Sequence, residues 1–168
     1  MQGKSFHDIL TDKFPFEPTQ SQVRGFRIIG DFLTRSKNNE ILLIKGYAGT
    51  GKTTLIGHLV KNLNWVNKKF VLLAPTGRAA KVLSSYAGKP AFTIHRKIYF
   101  SKSDSGGSGV KFMLKQNKHA NTVFIVDESS MIGDNRQQNK FFENGSLLND
   151  LVNYVYNGDN CQLIFVGG

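Results

Sequence analysis

The chain has 168 residues, 40% of them hydrophobic, which is enough for one domain with its own core. Its apolar runs, such as ILLI and VLLA, are too short to cross a bilayer, and the start MQGKSFHDIL lacks the apolar segment of a secretory signal. The 22 lysines and arginines outnumber the 12 aspartates and glutamates, and the formal charge of +10 favours a polyanionic partner, nucleic acid being the commonest. A plain solubilising surface is the alternative. One cysteine, Cys161, excludes an internal disulfide and fits a reducing, cytoplasmic setting, and four scattered histidines have no zinc-type spacing.

In chain order, the first predicted element is a helix. In EPTQSQVRGF, Thr19 followed three residues later by Gln22 forms a capping box, and Val23, Phe26, Ile29 and Leu33 continue at helical spacing. The cap accounts fully for Gln22. The competing reading is a glutamine that recognises the edge of a nucleobase, a role Gln20 could fill equally well. ILLI (41–44) then reads as a strand, and GYAGTGKTT (46–54) has the spacing G-x-x-x-x-G-K-T.

That spacing suits a loop wrapped around a triphosphate. Gly46, Gly49 and Gly51 let backbone N–H groups approach phosphate oxygens, with Ala48, Thr50 and Thr54 completing the loop. Lys52 would place a charge between the β- and γ-phosphates, and the Thr53 hydroxyl would ligate Mg²⁺ at the start of a helix. The stripe Leu55, Ile56, Leu59, Val60 and Leu63 is that helix. ATP and Mg²⁺ are the implied ligands.

FVLLA (70–74) is the next strand. After it, APTGRAAKVLS carries Thr76 as a helix cap, with Arg78 and Lys81 near the first turn, where a phosphodiester backbone could be held. Ala79, Val82, Leu83 and Tyr86 form the stripe of that helix. FTIHRKIYF mixes Thr93, His95, Arg96 and Lys97 with Phe92, Tyr99 and Phe100, as a single-strand groove would require, although Ile94 and the aromatics could instead be core. SKSDSGGSG (101–109) reads as an exposed polar loop.

TVFIV (122–126) is a third strand, and it ends on two acids. Asp127 would hold Mg²⁺ through water, and Glu128 would orient or deprotonate an attacking water. A polar connection, GDNRQQNKFFENGS, leads to a helix carrying Leu147, Leu148, Leu151, Val152 and Val155, and QLIFV (162–166) is the last strand. All four strand-like runs are continuous rather than alternating, as in strands covered on both faces. Strands interleaved with helices predict a three-layer α/β domain with a mainly parallel sheet.

The succession PTQSQ, GYAGTGKTT, APTGRAAKVLS, TIHRKIY, IVDESSM and CQLIFVGG resembles the superfamily-one DNA helicases, and within them the RecD-like branch. The resemblance implies a RecA-like P-loop NTPase domain spanning residues 1–168, driven by ATP along single-stranded DNA from 5′ toward 3′. It places Gln22 at the adenine, Thr76, Arg78, Thr93 and His95 at the DNA backbone, and Ser130 and Met131 between the two sites. Such helicases continue with a second RecA-like domain whose arginine is worth ~10³–10⁵ in rate. The expectation is therefore a first motor domain that binds nucleotide, turns over slowly alone and does not unwind, with nuclease or repair subunits as further partners. A stand-alone nucleotide-dependent binding protein is the alternative; a nucleoside-kinase-like phosphotransferase fits Glu128 poorly.

Overall fold

The computed structural model describes residues 3–35, 39–45, 50–103, 109–129, 132 and 146–167. Its elements are α1 (Phe6–Lys13), α2 (Gln20–Arg35), β1 (Ile41–Lys45), α3 (Thr50–Asn62), β2 (Lys69–Ala74), α4 (Gly77–Ala87), β3 (Ala91–Thr93), α5 (Ile94–Ile98), β4 (Tyr99–Ser103), β5 (Val110–Leu114), β6 (Thr122–Val126), α6 (Leu147–Tyr156) and β7 (Gln162–Gly167). The sheet order is β1-β7-β6-β2-β3, and all its pairings are parallel.

Alternate residues of each central strand feed two cores. Leu72, Val123, Ile125, Ile164 and Val166 pack with α1–α4, whereas Leu73, Phe124, Val126, Leu163 and Phe165 pack with α5 and α6. Because both faces are covered, β6 and β7 read as continuous apolar runs. The strand β1 departs from that expectation. It lies at the sheet edge, and its alternate residues Ile41 and Leu43 are 38% and 54% exposed. The α4 stripe also needs correction, since Val82 is exposed and only Ala80 and Leu83 are buried there.

Two features were not foreseen. The first is α1, capped by Ser5 and seated on α2 where Gly30 leaves room: a Cβ at that position would lie 3.0 Å from His7. Its carbonyl of Leu10 accepts from His58 Nε2 of α3 at 2.7 Å, so the buried imidazole is the Nε2–H tautomer. The second is the antiparallel hairpin β4–β5, which turns residues 101–103 of the expected loop into strand. Residues 104–108 of that loop, and nearly all of GDNRQQNKFFENGS, lie outside the described residues.

Candidate nucleotide site

The carboxyl ends of parallel strands form a common rim, and among the described residues Lys52, Asp127, Glu128, Thr76 and Thr93 stand at or after strand ends there. The strand β1 ends at Lys45, and Thr50, Gly51, Lys52, Thr53 and Thr54 form the opening of α3. Gly46, Ala48 and Gly49 lie outside the described residues, as do Ser130 and Met131. The first turn of α3 holds no acid, so its backbone donors and Lys52 leave this end of the helix positive.

Asp127 follows the end of β6. Its backbone N–H donates to Leu73 O at 2.9 Å, which prolongs the pairing with β2 and buries the side chain. Glu128 then turns away in the left-handed region, at φ +57°, and its N–H donates to Asp127 Oδ1 at 2.9 Å. The two acids therefore face different surroundings, Asp127 buried and the Glu128 side chain partly open.

Lys52 brings the loop and the acids together. Its Nζ lies 2.9 Å from Asp127 Oδ1 and 3.1 Å from Glu128 Oε1. Burial works to lower the pKa of this ammonium, but the hydrogen bonds and charges of the two carboxylates outweigh it and hold the pKa above the usual lysine value. Across from Lys52, the Tyr86 hydroxyl donates to Asp127 Oδ2 at 2.5 Å. Burial, reinforced by the Asp127 carboxylate, pushes this phenol upward. Sequence reasoning placed Tyr86 only in the apolar stripe of α4 and missed its hydroxyl.

Beside Lys52 is a cavity of about 270 Å³ lined by Phe14, Gln22, Phe26, Lys52 and Leu55 among others. The capping box is present: Gln22 Oε1 accepts from Thr19 N at 2.8 Å, and Gln22 N donates to Thr19 Oγ1 at 3.1 Å. The same side chain lines the cavity, and Gln20 is not among its lining residues. Thr53 faces a neighbouring cavity of about 590 Å³ that it shares with Tyr86. The oxygen donors Asp127, Glu128 and Thr53 have the hard character that Mg²⁺ takes alongside phosphate oxygens and water, so the residues fit that ion.

The expected DNA-contact residues occupy the same rim, one and two strands away. Thr76 caps α4 by accepting from Ala79 N at 3.1 Å, and Arg78 in its first turn is exposed. Thr93, paired with Ala74 across β2 and β3, caps α5 by accepting from Arg96 N at 3.2 Å. His95 is half-buried against Tyr99 and Phe112, and burial lowers its pKa. The two readings of FTIHRKIYF divide by residue. Ile94, Ile98 and Tyr99 are core, while Phe92 and Phe100 are exposed and Lys97 Nζ lies 5.6 Å from the centre of the Phe92 ring.

The profile of the AAA domain family matches residues 32–168, which is most of the chain and includes the strand, loop and acids just described. The chain belongs to the AAA domain family. This AAA domain is similar to the ATP-dependent DNA helicase dda of Enterobacteria phage T4, at 38% identity over 78 residues, covering 46% of the chain and 17% of that protein. It is similar to RecBCD enzyme subunit RecD of Buchnera aphidicola, at 30% identity over 146 residues, covering 74% of the chain and 23% of that protein. A third relative is the multifunctional conjugation protein TraI of Escherichia coli, at 27% identity over 139 residues, covering 80% of the chain and 7% of that protein. The chain thus spans less than a quarter of the length of each of these curated relatives. Since dda and TraI stand beside RecD, the likeness singles out no one branch among these relatives. Among the described residues no helix is long and apolar enough to cross a membrane.

Proposed function

We infer that this AAA domain binds Mg–ATP at the rim formed by β1 and β6 and is the first motor domain of an ATP-dependent DNA helicase of RecD-like type. The convergence of Lys52 on Asp127 and Glu128 is the observation that carries this reading. Residues 76 positions apart in sequence meet at hydrogen-bond distance, with a positive helix end on one side and two acids on the other.

The two carboxylates neutralise the Lys52 charge. A triphosphate in the loop would offer Lys52 a stronger anion, and Asp127 and Glu128 would then be open to the cation and the water. Asp127 and Thr53 would hold Mg²⁺, whose charge offsets that of the phosphate oxygens. Glu128, more open than Asp127, orients and deprotonates the attacking water. The cavity beside Lys52, apolar with the Gln22 amide at its edge, takes the adenine.

Thr76, Arg78, Thr93 and His95 lie along the rim where single-stranded DNA would cross. Thr76 and Thr93 act through the helix ends they cap, which present backbone N–H groups to a phosphate. Movement along the strand requires a second RecA-like domain closing on this one, and its arginine completes the charge stabilisation. Alone, the chain hydrolyses ATP slowly and does not unwind.

Glu128→Gln separates binding from chemistry. In the presence of the second domain and DNA, the variant is expected to keep ATP affinity and lose ATP turnover by ~10²-fold or more. Wild-type turnover in that variant would remove Glu128 as general base.

A further inference from the structure

We propose that Tyr86 is a positioning residue for this site, holding the Asp127 carboxylate in one orientation while Lys52 moves between carboxylate and phosphate. The inference rests on the nucleotide reading above and adds to it a residue outside the loop and the acids.

The donors around Asp127 divide between its two oxygens. Oδ1 receives Lys52 Nζ and Glu128 N, both at 2.9 Å, whereas Oδ2 receives the Tyr86 hydroxyl at 2.5 Å. The Asp127 side chain is only 5% exposed, so solvent is a poor substitute for a missing donor. The Lys52 contact is the one that nucleotide would draw away. The Tyr86 contact comes from a different element, the last turn of α4, and not from the phosphate loop itself. Buried Ala80 and Leu83 fix that helix on the sheet, and Gly88 in the left-handed region at φ +67° closes it.

With Lys52 drawn to phosphate, Oδ1 would keep its backbone donor Glu128 N and be open to a cation, while Oδ2 would stay tied to the phenol, so the carboxylate would keep its orientation. Without the phenol, Lys52 becomes the chief side-chain partner of a buried carboxylate. The carboxylate, its Oδ2 no longer tied to the phenol, is then free to rotate. That change weakens the magnesium-dependent part of nucleotide binding and leaves the loop's own grip on phosphate intact. Tyr86 and Thr53, the other proposed Mg²⁺ ligand, are both among the residues lining one cavity.

The test is titration of the 168-residue chain with a fluorescent ADP analogue, in Mg²⁺ and in EDTA, for wild type and Tyr86→Phe. The variant is expected to match wild type in EDTA and to bind about tenfold more weakly in Mg²⁺, the loss typical of removing a group that orients a metal ligand. Equal affinity in Mg²⁺ overturns the proposal. Loss of binding in EDTA as well would mean that Tyr86 supports the fold rather than the carboxylate, and also overturns it. A wild type that binds in EDTA but gains nothing from Mg²⁺ removes the metal role of Asp127 and this inference while sparing the phosphate loop. A wild type that binds in neither buffer removes the nucleotide reading itself.

Discussion

Lys52 and Glu128 are held by opposing demands. Burial discourages the charge on Lys52, yet two carboxylates within 3.1 Å keep it protonated, so the arrangement stands across the neutral range. Glu128 occupies a backbone region that L residues with a Cβ resist, at φ +57°. Such local strain is commonly found where a side chain must be aimed. It also makes a distinctive expectation: with the carboxylate removed in both variants, Glu128→Gly should be more stable than Glu128→Ala by about 1 kcal/mol, reversing their usual order. Chemical denaturation of the two proteins checks it, and an alanine variant as stable as the glycine one would mean that the turn relaxes on substitution. Lys52, Asp127 and Glu128 were legible as candidates because their types follow apolar runs at a fixed spacing, and the structure brings the three together. Tyr86 was not legible. A tyrosine in an amphipathic stripe looks like core, and only the packing of α4 on the sheet shows where its hydroxyl ends.

Among the elements, the helix ends carry most of the interest. The Thr76 hydroxyl is spent on the N–H of Ala79, so its first effect is on stability. Thr76→Ala should cost about 1 kcal/mol, and Thr76→Asn, which can cap, much less. Equal stability of all three proteins would show the cap to be dispensable. The four predicted strands and the helices α2, α3, α4 and α6 were readable because hydrophobic period and caps are local. What escaped were elements defined by their neighbours. The helix α1 has only Phe6, Ile9 and Leu10 as its stripe, and it is set by Gly30 and by the His58 bond to Leu10. The hairpin β4–β5 hides its role because Tyr99 and Phe112 face the core, whereas Phe100 and Lys102 do not. Burial of Asp150 within α6 was equally hidden, since its partner, the Tyr99 hydroxyl, is 51 residues away. The open face of β1 escaped for the same reason. A continuous apolar run records composition and carries no information about whether a strand lies at the centre or the edge.

For the whole molecule, charge and histidine burial set the solution behaviour. His58, His95 and His119 all have pKa values lowered by burial from 6.5. Below that pH the unfolded chain takes up protons that the folded chain resists, so folding stability is full above about pH 6.5 and falls as pH drops. A thermal midpoint lower at pH 5.5 than at pH 7.5 is expected; a higher one would contradict the burial of these rings. The charge of +10 bears on the proposed track. Affinity for single-stranded DNA should fall linearly with the logarithm of salt concentration, with a slope of roughly −0.7 for each phosphate contacted. A flat dependence would leave Arg78 and its neighbours without that role. The central claim, that Lys52 and the two acids clasp a magnesium nucleotide, is tested most directly by equilibrium binding of a fluorescent ATP analogue to the chain and to Lys52→Ala. The account expects Mg²⁺-dependent binding that the substitution weakens by at least about tenfold, ~1.4 kcal/mol. Equal affinity in the two proteins would contradict it.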